Sequence, residues 1–128
     1  MNKVILGSLL MSVLMAGVSM GGDMDKTEWK MREKGIKGTL LFWRTDILKF
    51  DNGQFTSSEC VPYGFNASAY SSTKEGDKVN WSAIQTNSKG EKMEWKGIKT
   101  GNRMDGTFTW TTPDGKAKTY PWKAYPKS

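Results

Sequence analysis

The chain has 128 residues, with 19 Lys and Arg against 13 Asp and Glu, a formal net charge of +6 and no histidine. The missing imidazole excludes Ser-His-Asp and Cys-His machinery, histidine general bases and histidine metal sites. The length suits one domain and is too short for two.

The first segment, MNKVILGSLLMSVLMAGVSMGG, sets one Lys before an uncharged run from Val4 to Met20, then small residues and the first acids at Asp23 and Asp25. That is the organisation of a secretory signal peptide over residues 1–21, with cleavage after Ser19 or Gly21. The competing reading is an uncleaved anchor, since the run approaches the roughly 18 apolar residues that can span a bilayer. Its interspersed Gly and Ser make it a poor span, and no Cys follows it to carry a lipid anchor. Residues 22–128 then form a single exported domain, periplasmic or secreted from a bacterium and not membrane-spanning once the leader is gone. Lys3 is the only charge lost with the leader, which leaves a net charge of +5. The basic residues are scattered, as on a solvated surface, although a basic surface also suits nucleic acid, anionic headgroups or acidic polysaccharide.

Beyond Lys26 no stretch has helical periodicity. Short alternating runs read as strands over Thr27 to Glu33, Gly38 to Trp43, Thr45 to Phe50, Phe55 to Ser58 and Ala67 to Thr73. Turn signals separate these and later runs at even spacing: DNG at Asp51 to Gly53, KEG at Lys74 to Gly76, SKG at Ser88 to Gly90, TGN at Thr100 to Asn102 and PDG at Pro113 to Gly115. Such spacing indicates an all-β antiparallel meander. A chain of this size covers its inner face by closing into a barrel of about eight strands, or else by folding over as a two-sheet β-sandwich. Closure removes exposed edges, which favours the barrel. The segment ECVPYGFN, Glu59 to Asn66, lacks alternation and reads as a lid over a barrel mouth or a corner strand.

Four of the turns have the form x-x-Gly, which suits a three-residue hairpin loop with Gly in the left-handed position. With SKG and PDG as such loops and Gly101-Asn102 as a two-residue turn, the register follows. One inner row is Trp81, Gly97, Gly106, Trp122, and the next is Ala83, Trp95, Phe108, Tyr120. The opposite face carries Ser82, Lys96, Thr107 and Pro121, with Asp105 opposite Lys123. The paired glycines leave either a trough walled by Trp81, Trp95, Phe108, Trp110, Tyr120 and Trp122, able to hold a flat apolar or sugar-like ligand, or a volume filled by the rings themselves.

Cys60 is the only cysteine, so no internal disulfide forms. It reads as a buried inert thiol, an intermolecular bridge or an attachment point. With Tyr63 and Phe65 it makes a candidate thiol or lid site. No Lys or Arg lies within four residues of it and Glu59 is adjacent, a setting that disfavours a nucleophilic thiolate. The well-phased inner face carries no carboxylate pair, Met93 and Met104 there suit gap-filling better than metal ligation, and phosphate-loop patterns are missing. The expectation is therefore a non-enzyme with no cofactor and no metal. Nucleic acid is disfavoured too, because the Trp and Lys residues fall on opposite faces.

The stretches FTSSEC, YGFNASAY, EGDKVNW, MEWKGIK and MDGTFTW resemble a type of small exported bacterial protein of unassigned function, in which F-x-x-S-x-C, Y-G-F, G-D, W-x-G and G-T-x-x-W recur in that order. The likeness covers Thr45 to the end and implies no activity. More loosely, the Gly-Thr and Trp-Gly rhythm is similar in style to avidin-like and other calycin barrels, which bind small apolar or cyclic ligands inside. The expected function is an exported binding protein for a small apolar or cyclic molecule or an envelope component. The alternatives are a fully packed structural or protein-interaction domain, and a carbohydrate-binding module using exposed Trp29, Trp43 or Tyr125.

Overall fold

A computed structural model describes residues 18–19, 22–34 and 43–127. Its strands are β1 (Val18–Ser19), β2 (Thr27–Lys34), β3 (Trp43–Asp51), β4 (Gln54–Ser57), β5 (Ser68–Glu75), β6 (Lys78–Thr86), β7 (Lys92–Thr100), β8 (Arg103–Thr111) and β9 (Ala117–Pro126). All pairings are antiparallel. β2 to β9 run as a meander, β2 pairs with β9 at the seam, and the eight strands close into a barrel. The sandwich alternative is thereby excluded. β1, from the stretch read as a leader, lies against β5 with Val18 opposite Thr73. The run read as a strand over Gly38 to Trp43 falls outside the described residues except for Trp43, which opens β3.

Register follows the loops. Asn87 N donates to Glu91 O, Thr112 N donates to Lys116 O, and Gly90 and Gly115 have φ of 81° and 87°, the left-handed geometry expected of SKG and PDG. DNG and KEG differ: Asn52-Gly53 and Gly76-Asp77 are two-residue turns, fixed by the pairs Asp51–Gln54 and Glu75–Lys78. Trp81, Gly97, Gly106 and Trp122 lie in one cross-strand row, and Ala83, Trp95, Phe108 and Tyr120 in the next. Lys123 Nζ reaches Asp105 at 3.4 Å on the outer face.

The interior is a continuous aromatic core. Phe50 meets Tyr70 and Trp81 edge-on with ring centroids 5.1 and 4.7 Å apart, and Phe55 bridges Trp81 and Trp95 at 5.0 Å each. Such tilted and edge-to-face pairs add to the burial of large apolar rings. Trp29, expected to be exposed, is instead in this core at 2 % exposure, its indole N–H donating to Thr27 Oγ1 at 3.0 Å. Inward alternation along β2, with Met31 next on the same face, places it there.

Residues 22–26 fold against the barrel beside the β3–β4 turn. Tyr70, 1 % exposed, accepts hydrogen bonds from the amides of Gly22 and Met24 and donates to Asp25 Oδ1 at 2.8 Å. Asp25 in turn accepts from Gly53 N at 3.0 Å. The Tyr70 bond, and after it the Gly53 amide, hold the Asp25 carboxyl below the usual range, while burial and then Asp25 push the Tyr70 phenol up to about 12. The signs differ. Asp25's contribution is present above its unfolded value and lost as pH falls through the depressed one, whereas Tyr70's is present below 10 and lost as pH rises toward about 12. Tyr70→Phe strands two amides and is expected to cost about 2 kcal/mol at neutral pH. In urea melts at a series of pH values, the gap to wild type should narrow above pH 10.

Candidate functional site

The row of paired glycines is closed by the rings beside it. A Cβ on Gly97 would lie 2.4 Å from Trp81 Nε1, and one on Gly106 would lie 2.4 Å from Trp122 Cζ2 and 2.1 Å from the Lys96 carbonyl oxygen. Trp81 and Trp122 are each 3 % exposed, with centroids 6.1 Å apart. The indoles thus occupy the volume the glycines leave, which is the ring-filled alternative of the two. Trp81 Nε1 donates to Met104 Sδ at 3.0 Å, while Trp122 Nε1 finds no partner among the described residues. Over the outer face at this level lies a shallow depression of about 460 Å³, bordered by Ser71, Ser82, Lys96, Asp105 and Thr107.

The remaining sequence-derived candidates converge elsewhere. Trp95, Phe108, Trp110 and Tyr120 on β7, β8 and β9 meet Cys60, Tyr63 and Phe65 around one cavity of about 310 Å³. Trp95 and Phe108 are 5.1 Å apart and Phe108 and Tyr120 5.3 Å, tilted by 41° and 39°, so one wall is continuous ring surface. Met31 and Met93 complete the apolar lining, and Lys89 and Glu91 stand on the β6–β7 loop side.

The segment between β4 and β5 is a lid over this cavity. Val61–Tyr63 makes one 3-10 turn, with Pro62 in its first turn and Gly64 ending it at φ 89°. Phe65 and Cys60 point into the fold at 2 % and 8 % exposure, and Cys60 forms no disulfide; Val61 and Tyr63 are exposed. Side chains from the barrel wall hold the lid down. Asn87 Nδ2 donates to Tyr63 O, and Gln85 Nε2 donates to Asn66 O while its Oε1 accepts from Trp95 Nε1 at 3.0 Å.

The strongest anchor is Asp46 on β3, 2 % exposed and part of the cavity wall. Its Oδ1 accepts from Ser58 Oγ and the Glu59 amide, each at 3.0 Å, and its Oδ2 accepts from Ser57 Oγ. Burial pushes its carboxyl above the ordinary carboxylate range; the bonds from Ser57, the Glu59 amide and Ser58 pull the other way, and the charge of Glu59 adds to the rise. Asp46 is absent from the sequence-derived candidates, although its alternation with Leu48 and Phe50 is the signal that it faces inward. Among the described residues no cluster of His, Cys, Asp and Glu is able to hold a metal, and no helix is long and apolar enough to cross a membrane. No known protein family, curated protein or solved structure matches this chain.

Proposed function

We propose that the chain is an exported, non-enzymatic binding protein whose lid-covered cavity holds a small apolar or cyclic molecule. The observation that carries this reading is the cavity itself: about 310 Å³, walled mainly by Trp95, Phe108, Trp110, Tyr120, Met31 and Met93, with charged groups at Asp46, Glu59, Lys89 and Glu91. That is the low end of the roughly 300–1,000 Å³ typical of small-molecule sites. It suits a ligand of one or two rings. Export is read from the leader-like residues 1–21, a pattern that supports a bacterial periplasm or the cell exterior.

Native mass spectrometry of the protein from a bacterial envelope tests the reading. Wild type should carry extra mass that is lost on denaturation. Met93→Trp, which places an indole in the cavity, should carry none while keeping its β circular dichroism. A bare mass for wild type, with no tryptophan fluorescence response to a panel of small cyclic compounds, would sink the proposal. A second reading, a protein-interaction domain, is favoured by Val61 and Tyr63 of the lid, 44 % and 61 % exposed. Of the three rings named for carbohydrate binding, Tyr125 is the one described as exposed, since Trp29 is buried and the Trp43 side chain lies outside the described residues.

A further inference from the structure

The cavity lining inverts the charge balance of the chain. Overall, Lys and Arg outnumber Asp and Glu, yet among the described lining residues the carboxylates Asp46 and Glu91 accompany one cation, Lys89, beside Glu59, which is engaged in an interaction of its own. Their positions also differ: Lys89 is exposed on the hairpin loop, while Asp46 is buried. Asp46 Oδ1 accepts two hydrogen bonds and Oδ2 accepts one. A carboxylate offers about four acceptor sites, so Oδ2 keeps one for a ligand donor.

The aromatic lining favours the same charge. The faces of Trp95, Phe108, Trp110 and Tyr120 carry the negative side of their quadrupoles, which attracts an ammonium group brought out of water. Met31 and Met93 add polarisable thioethers that adapt to a compact apolar body. A neutral molecule would gain from the rings and little from the carboxylates, and an anion would be opposed by both.

Resting on the binding reading above, we propose that the cavity takes a small organic cation: an ammonium group on a flat ring or compact apolar body, its charge held by Asp46 and its body laid against Trp95, Phe108, Trp110 and Tyr120. The full chain is titrated with benzylammonium, benzyl alcohol and benzoate, following tryptophan fluorescence. The cation should bind at least about tenfold more tightly than the other two. Asp46→Asn should weaken the cation about tenfold more than it weakens the alcohol. Because Asp46 also anchors the lid, Glu91→Gln serves as the second variant, with an expected loss of about threefold for the cation alone. Equal or tighter binding of the alcohol or benzoate would overturn the cation assignment and leave the cavity as a binding site. No saturable response to any of the three, in wild type as in Met93→Trp, would overturn both.

Discussion

Replacing Gly106 with alanine should destabilise the barrel by about 3 kcal/mol or more, at the upper end of overpacking costs. At the scale of a domain this size, that lowers the melting temperature by roughly 12 °C or more. The added methyl would sit 2.1 Å from the Lys96 carbonyl oxygen and 2.4 Å from the Trp122 ring. The ring is able to shift. The carbonyl belongs to β7, paired with β8 along its whole length, and moves only if that ladder distorts. Gly97→Ala is the informative contrast, because all three of its nearest atoms belong to the Trp81 indole. A compensating Trp81→Phe should therefore recover much of the loss at Gly97, while Trp122→Phe should recover little at Gly106. Thermal melts of the two single and two double variants check this, and equal rescue at both sites would contradict the backbone clash.

Removing the Asp46 carboxylate should release the lid. Asp46→Ala deletes three accepted hydrogen bonds and strands Ser57 Oγ, which is fully buried. Leaving such groups unpaired costs about 3 kcal/mol. Cys60 reports the event, since its 8 % exposure in the closed form keeps thiol reagents out. Its labelling rate should rise at least about tenfold, as expected when local opening becomes easier by 1.4 kcal/mol or more. The pH dependence has a definite sign. Asp46's folded value is raised above 3.8, so its share of stability is fully present below 3.8 and is lost as pH rises through the raised value. Asp46→Asn should consequently cost more in acid than at pH 7, as measured by urea midpoints. A cost that grew toward neutral pH would mean that the hydrogen bonds outweigh burial.

The strand rows from Trp81 to Trp122 were legible in the sequence because glycine-bearing loops of known length fix register, and register fixes the face of every side chain. Whether the row was open or filled was not legible. That depends on which way two indoles lean, and the structure sets each over its cross-strand glycine. The wall formed by Trp95, Phe108, Trp110 and Tyr120 and the lid residues Cys60, Tyr63 and Phe65 were each visible as separate groups, but their meeting was not. Barrel closure and strand tilt bring Met31, Asp46 and the lid to the same mouth, and no local pattern encodes that juxtaposition. The role of Asp46 is not legible because the strands before Asp51 lack the loop signals that phase the later ones.

Around the barrel every strand pairs with its sequence neighbour except at the β2–β9 seam, where only four residue pairs join. There Lys127 and Glu28, 99 positions apart, share an amide–carbonyl hydrogen bond and an ion pair. The kinetic consequence is a division of labour along the folding pathway. Hairpins with short loops form in about 1–10 μs and extend the sheet one strand at a time, each step drawing on contacts close in sequence. The seam alone carries the loop-closure entropy of nearly the whole domain. The ring is therefore completed last, and substitutions confined to the seam act mainly by changing how fast the finished barrel comes apart.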